Sequence, residues 1–378
     1  MNLDDLLYLD YNATTPLDPR VLDAMMPYFS TWYGNAASAH HFGKNIHRAV
    51  ASARRYVSDL INAEPKELIF TSGATEGVNL ALKGLALHPN NTKRHLVTVQ
   101  TEHKAVLDTC KFLETLGFEI TYLPVKHDGI LDLTTVEQNI REDTLLVSVM
   151  LVNNETGVIQ DIETICQLAH AKGALLVSDA TQAVGKMPVD VQSLGVDVLI
   201  FSAHKFYGPK GIGAVYVNKR TTNHRKLQPL IHGGGHENGF RSGTLNVPAI
   251  IGFGKACELA LQEMLVNEAE IRPLRDELEH KLQQLEGSFV NGNPQKRLYN
   301  VTNICLPNLD ANVLIGQLRN VAMSNGSACT SAIVEASHVL KAMKLSDQEA
   351  LGSLRLSLGK GSEREHILRF GKLIVEMI

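Results

Sequence analysis

The 378 residues are 44% apolar and 20% charged, and 36 Lys and Arg against 40 Asp and Glu leave a net charge of −4. That is an ordinary globular composition, long enough for two domains, and without a long basic run it argues against a dedicated nucleic-acid binder. No apolar run reaches the ~18 residues that span a bilayer, the opening Met1–Asp5 is acidic with no signal-peptide core, and the expected location is the cytoplasm.

In chain order, Tyr8–Pro19 reads as a short extended entry followed by turn chemistry, then a helix over 20–31 and a small, polar loop over 34–40. Residues 43–63 form an amphipathic helix, with Ile46, Ala49, Val50, Ala53, Tyr56, Val57, Leu60 and Ile61 at helical spacing. A strand over 67–71, the turn Ser72–Gly77 and a helix to about residue 87 follow. This layout offers phosphate the free N–H groups and positive end of a helix, with Gly73 and Ala74 allowing close approach and Thr75 adding a hydroxyl. An ordinary capped helix has the same layout. No GKS or GKT follows, so it is not a nucleotide P-loop.

From 94 to 200, strand-like runs at 95–99, 118–123, 145–151, 174–178 and 196–201 alternate with helical stretches at 104–116, 132–140 and 161–172. Such alternation implies an α/β fold with a mostly parallel sheet and helices on both faces. Ligands then sit beyond the carboxyl ends of the strands. The polar residues just past these runs are therefore the candidates: His103, Asn154 with Glu155, Asp179 with Gln182, and Ser202 with His204 and Lys205.

Lys205 stands in the turn between the runs 196–201 and 213–217. Burial there lowers the pKa of an amine, and a neutral lysine amine is a nucleophile that forms Schiff bases with carbonyls. Asp179 ends another apolar run and needs a positive partner. Enzymes that use pyridoxal 5′-phosphate (PLP) need such a pair, a lysine for the aldehyde carbon and an acid for the pyridinium nitrogen. PLP is thus the expected cofactor. The glycine-rich stretch 208–213 precedes a strand and is no dinucleotide fingerprint. His232 and His236, with three glycines between them, read as a mobile functional loop rather than a metal site, and that loop continues through Thr244.

Beyond residue 255 the pattern becomes α+β: a helix over 255–285 with Pro273 as its one breaker, a strand at 301–306, helices at 311–319, 333–343 and 346–352, a strand at 353–358 and a last helix from 362. The expected division is a large domain of residues 16–255 and a smaller one made of 1–15 with 256–378. The five cysteines form no CxxC pair and are odd in number, which argues against a zinc ribbon or a disulfide frame. Cys110, Cys166, Cys257 and Cys305 lie among apolar neighbours and read as core residues. Cys329 lies in the small, polar stretch Ser324–Ala332 and reads as a usable nucleophile. Arg355 alternates with apolar residues on its strand, which suits either a substrate carboxylate or a structural ion pair.

With these residues in view, the chain resembles the cysteine desulfurases of the NifS/IscS type, in the class V aminotransferase group of fold-type-I PLP enzymes. The resemblance runs through Asp10–Thr15, Thr71–Glu76, Thr101–Val106, Asn153–Gly157, Asp179–Gln182, His204–Lys205, Gly233–Glu237, Arg241–Thr244 and Gly326–Ser331. It implies a mostly parallel seven-stranded sheet between helices, plus a smaller α+β domain, in a homodimer. It further implies that Lys205 holds PLP, that Asp179 pairs with the ring nitrogen, and that Gln182 and Asn154 contact cofactor or substrate. His103 stacks on the ring and moves protons; Ala74, Thr75, Ser202 and His204 hold the phosphate, with Thr244 reaching over from a second subunit. Arg355 and Asn154 take the carboxylate of L-cysteine, and Cys329 attacks the substrate sulfur to become a persulfide, which passes to an acceptor protein. Iron–sulfur assembly, tRNA thiolation and DNA phosphorothioation all remain open as destinations. The sequence departs from the family pattern at Ala36–Ala37, in place of Pro-Ser, and at Ala336, in place of proline. It also ends at Ile378, without the tail that related enzymes often use to dock on an iron–sulfur scaffold. Other class V activities (a selenocysteine lyase, a β-lyase, an aminotransferase) would leave Cys329 dispensable, and a non-catalytic relay protein would dispense with Lys205 as well.

Overall fold

The computed structural model describes residues 6–219, 227–307, 309–326 and 336–377. The chain enters through β1 (Leu7–Tyr8), α1 (Pro19–Met25), α2 (Pro27–Ser30) and α3 (His41–Asp59). The helix expected over 20–31 is split at Met26, because Pro27 has no N–H to continue the ladder and starts a new turn instead. The central layer then follows as β2 (Leu68–Thr71), α4 (Ala74–Ala86), β3 (His95–Val99), α5 (Lys104–Glu114), β4 (Glu119–Leu123), α6 (Leu133–Asn139), β5 (Thr144–Ser148), α7 (Ile162–Ala171), β6 (Leu175–Asp179), α8 (Val191–Leu194), β7 (Val198–Ser202) and β8 (Gly213–Val217).

These strands make a seven-stranded sheet in the order β2-β8-β7-β6-β5-β3-β4, in which only β8 runs antiparallel to its neighbours. Both faces are covered. Ile69, Leu96, Leu146, Val177, Ile200 and Val215 pack with α4 and α5, while Phe70, Val97, Val147, Leu176, Phe201 and Tyr216 pack in the larger core with α3 and α7. Each pair of neighbours along a strand thus divides between the two faces, as the period of two requires. The α/β reading stands, with strand ends shifted by at most three residues.

A 36-residue helix, α9 (Val247–Leu282), comes next, followed by β9 (Phe289–Val290), β10 (Val301–Cys305), α10 (Ala311–Gln317), β11 (Val321–Ala322), α11 (His338–Ala342), α12 (Asp347–Leu351), β12 (Ser353–Ser357) and α13 (Arg364–Met377). Helix α9 starts eight residues before the expected 255 and runs through Pro273 unbroken. Gly252 and Gly254 weaken its helical signal in sequence, yet they let it pack closely: a Cβ on Gly254 would lie 2.6 Å from Ala53 Cα in α3. Among the described residues no helix is long and apolar enough to cross a membrane. Cys110, Cys166, Cys257 and Cys305 are buried and unpaired, as core residues.

Two small sheets bring distant segments to the main one. β12 pairs with β10, with Arg355 opposite Asn303, and β1 lies parallel to β11. Residues 9–11 run between them: Leu9 N donates to Ala322 O at 2.7 Å and Ser357 N to Leu9 O at 2.8 Å. The N-terminal segment is thereby threaded past β12 toward the ends of β6 and β7.

One turn that supports the site needs glycine. Gly185 has φ +78°, and a Cβ there would fall among the ring carbons of Phe206, the residue after Lys205. Gly185→Ala is expected to lower unfolding free energy by about 2–4 kcal/mol, from the left-handed backbone and the crowding together. Denaturant titration checks this.

Candidate active site

Lys205 ends a single 3₁₀ turn, Ala203–Lys205, that leaves the carboxyl end of β7. The turn is latched by the N-terminal segment. Thr15 donates both its N–H and its hydroxyl to His204 O, at 3.0 Å each, and its Oγ1 accepts from Tyr207 N at 2.7 Å. Tyr207 is held at φ +66°, a conformation rare outside glycine, and Asp18 N donates to its carbonyl at 3.1 Å. The Lys205 amine points into this segment, donating to Asn12 O at 2.8 Å and Ala13 O at 2.6 Å. Burial, with help from the Arg355 charge, pulls its pKa down to about 8, although Asp179 and Asp10 oppose this. His204 is pushed down to about 4 by burial and by Lys205, Lys210 and Lys186, so it is neutral at pH 7, with Nδ1 3.1 Å from Thr14 Oγ1.

Asp179 closes β6 and is buried, its Oδ1 accepting from Thr181 N at 2.9 Å. Gln182, one turn on, donates from Nε2 to Asn12 O at 2.9 Å and accepts at Oε1 from Lys186 Nζ at 2.7 Å. The parallel sheet places Asp179 beside Ile200 of β7, which brings the acid and Lys205 to one rim. Gly73, at φ +155°, precedes the first turn of α4, formed by Ala74 and Thr75. A Cβ on Gly73 would meet nothing within 4 Å except Ser202 Oγ, at 4.0 Å. An open cradle thus lies between a helix N-terminus and a serine hydroxyl, the setting an anion prefers. Arg241 reaches this turn through Glu76, donating from Nε to Oε1 at 2.9 Å.

Arg355 is buried on β12. Its Nη2 donates to Asp10 Oδ1 at 2.6 Å and its Nη1 to Asn154 O at 3.1 Å, while Nε is buried with no partner. Of the two roles open in sequence, the ion pair is therefore present, with Nε left unmatched. Asn154 Oδ1 is also buried without a partner. Both unmatched groups lie on the Asn12 side of the site, since Asn12 Nδ2 donates to Asn154 O at 3.3 Å.

His103 caps α5: its Nδ1 accepts from Ala105 N at 3.1 Å, which leaves the ring proton on Nε2. Thr244 is exposed and lines a groove with Tyr28, Trp32, Tyr33 and Leu245. Within this chain no hydrogen bond among the described residues brings it to the cradle. Cys329 lies outside the described residues.

Several site residues escaped the sequence reading. Asn12 is the hub: besides the contacts above, its N–H donates to Ser357 Oγ at 2.9 Å, and its Oδ1 accepts from Lys186 Nζ and Asn300 Nδ2 at 3.3 Å each. Lys186 is a second buried amine, its pKa driven well below the usual lysine range by burial and by Lys205 and Arg355. Glu102 is fully buried, accepts from Met150 N at 2.5 Å, and is pushed well above the carboxylate range by burial, with Asp179 adding to it. The only signal for Asn12 was its place in the polar run Asp10–Thr15; nothing in the pattern marked Lys186 as buried.

These features fit PLP: a depressed amine for its carbonyl, an acid for its ring nitrogen, an open anion cradle, and unmatched polar groups at Asn154 and Arg355. Comparison with known proteins agrees. The family model "Aminotransferase class-V" matches residues 7–370. The chain is 47% identical over 364 residues to "Cysteine desulfurase IscS" of Pectobacterium carotovorum subsp. carotovorum (strain PC1), covering 96% of this chain and 90% of that protein. Among solved structures it is similar to a "NifS-like protein" (TM-score 0.91, 38% identity, covering 98% of this chain and 99% of the other). It is also similar to "SspA in complex with cysteine" (TM-score 0.83, 38% identity, covering 93% and 99%).

Proposed function

We propose, from the premise that this chain belongs to the aminotransferase class-V family, that it is a PLP-dependent cysteine desulfurase. L-cysteine becomes L-alanine, and its sulfur is left as a persulfide on Cys329 for an acceptor protein in iron–sulfur cluster or thio-modification chemistry. The observation that carries the reading is the rim where Lys205, Asp179 and the Gly73–Ser202 cradle meet the Arg355–Asn154 seat.

In this reading Ala74, Thr75, Ser202 and neutral His204 hold the phosphate, together with Thr244 of the partner subunit. Asp179 faces the ring nitrogen, His103 covers the ring and moves protons, and Gln182 and Asn154 contact cofactor or substrate. When bound, PLP activates the α-amino group and accepts the electrons released at Cα. Arg355 and Asn154 orient the substrate carboxylate. The Lys205 amine, depressed to about 8, takes up the Cα proton. Cys329 thiolate then attacks the substrate sulfur: the Cβ–S bond breaks, an S–S bond forms, and a proton completes the methyl group of alanine. Cysteine plus thiol thus balances alanine plus persulfide.

The homodimer is supported by the exposed apolar residues Met26, Phe29, Trp32 and Tyr33, the last two lining a groove with Thr244, a surface a second copy would cover. The division into residues 16–255 and 1–15 with 256–378 is supported by the seven-stranded sheet lying within 68–217 and the two small sheets outside it. A reducing compartment suits a working thiol, which supports the cytoplasm.

The test is product analysis of the holoenzyme with L-cysteine. The expected products are alanine and one persulfide per protomer without a reductant, then alanine and sulfide in equal amounts once a thiol is added. Pyruvate and ammonia as products would instead mean a β-lyase.

A further inference from the structure

We infer that Glu155 is a positioning residue for the sulfur-transfer step, its buried carboxyl joining the two chain segments that flank Cys329. The inference rests on the reading that Cys329 takes the sulfur.

Glu155 follows Asn154 in the turn after β5 and is 2% exposed. Its backbone is fixed from two sides: its N–H donates to Asn153 Oδ1 at 2.9 Å, and its carbonyl accepts from Asn303 Nδ2 at 3.3 Å. The side chain then bridges a gap. Oε2 accepts the hydroxyl of Ser337. The same oxygen lies against Gly326, where a Cβ would stand 2.5 Å from Oε2 and 3.1 Å from Cδ. Gly326 also has φ +88°, so both its backbone and its neighbour exclude a side chain. In sequence, Gly326 stands three residues before Cys329 and Ser337 eight after it. One carboxyl therefore sets the spacing of both flanks.

Each flank is tied in turn to the site. Arg355 N donates to Ser324 O at 2.7 Å, and Ser324 N returns a bond to Arg355 O at 3.4 Å. Ser337 Oγ caps α11 by accepting from Leu340 N at 3.2 Å, and His338 Nε2 lies 2.9 Å from Glu102 O, next to His103. A shift of the Glu155 carboxyl would thus move the flanks of Cys329 relative to Arg355 and Asn154. Burial raises Glu155 to about 7, opposed by Ser337, Arg355 and Lys104, and among the described residues no basic side chain forms an ion pair with it. A carboxyl kept dry in this way is expensive to hold. The cofactor and proton steps assigned above do not use it.

The test compares holoenzymes carrying Glu155→Ala, Glu155→Gln and Ser337→Ala with the parent and with Cys329→Ala. Two rates are read on mixing with L-cysteine without an acceptor: exchange of the Cα hydrogen with solvent deuterium, by NMR, and persulfide appearance on Cys329, by mass spectrometry. Glu155→Ala and Ser337→Ala are expected to slow persulfide formation by about 10–100-fold while Cα exchange stays within about threefold, the pattern of a misplaced reacting group. Glu155→Gln, whose amide oxygen still accepts from Ser337, is expected to restore most of the loss. The inference is overturned if the alanine variants load Cys329 at the parent rate, if both rates fall together, or if glutamine rescues nothing. Failure of the underlying reading looks different: the parent would then show no added sulfur on Cys329, and Cys329→Ala would turn over normally.

Discussion

Changing Lys205 to alanine is expected to lower alanine release from L-cysteine by about 10³–10⁴-fold, the upper range for loss of a positioned acid–base group. The surroundings of the amine explain the size. Its two hydrogen bonds go to backbone carbonyls, Asn12 O and Ala13 O, which hold it in place without supplying a negative charge. Burial and Arg355 then bring it to about 8, against ~10.4 for a free lysine. At neutral pH a useful fraction is the free base, where an exposed lysine would have almost none. The sign for pH follows: protonated Lys205 cannot accept a proton, so alanine release is lost as pH falls through about 8 and reaches a plateau above it. The residual activity of Lys205→Ala should lack this limb, and added methylamine should restore part of the rate. A pH–rate profile of both proteins, with and without the amine, checks all three outcomes. An unchanged rate in the variant would leave the lysine without a catalytic role.

How far this site could be read from the chain depends on the kind of contact each residue makes. Lys205 and Asp179 were legible because Asp179 ends one apolar run and Lys205 stands in the turn just past another, and in an alternating β/α pattern such positions share one rim. Gly73 and Ser202 were legible for the same reason, although their facing across the cradle was not. Asn12 was not legible as a hub, because it acts partly through its backbone carbonyl, which every residue type possesses. Lys186 was silent because a lysine in a turn is ordinarily solvated, and its burial depends on Asn12 and Gln182 closing over it. Arg355 was half legible: alternation pointed its side chain inward, but its partner Asp10 lies 345 residues away. In the fold, Pro27 broke a helix and Pro273 did not. Long helix α9 is held on both sides of Pro273 by packing against α3, β10 and α13, and one missing hydrogen bond does not end it.

Cys329→Ala is expected to abolish persulfide formation and to lower net alanine release by about 10³-fold or more, while Cα hydrogen exchange continues near the parent rate. The separation follows from the division of labour proposed above. The Cα proton is moved by Lys205, which the variant retains. Breaking the Cβ–S bond needs an external nucleophile for sulfur, and water is a poor one. A free thiol is only a few per cent thiolate at pH 7. The site, however, gathers Lys186, Lys205 and Arg355; burial depresses both amines, and the Arg355 charge adds to the effect. An anionic sulfur brought beside Arg355 and the Lys205 ammonium formed on taking up the Cα proton is stabilised, which raises the thiolate fraction where it is used. Cys329→Ser would keep the size of the side chain but not this advantage, because a hydroxyl stays protonated in the same field, and it should behave as the alanine variant does. The measurement is alanine release beside deuterium exchange at Cα for both variants. If alanine release persists at the parent rate, sulfur leaves without Cys329, and the chemistry is that of another class V enzyme on the same scaffold.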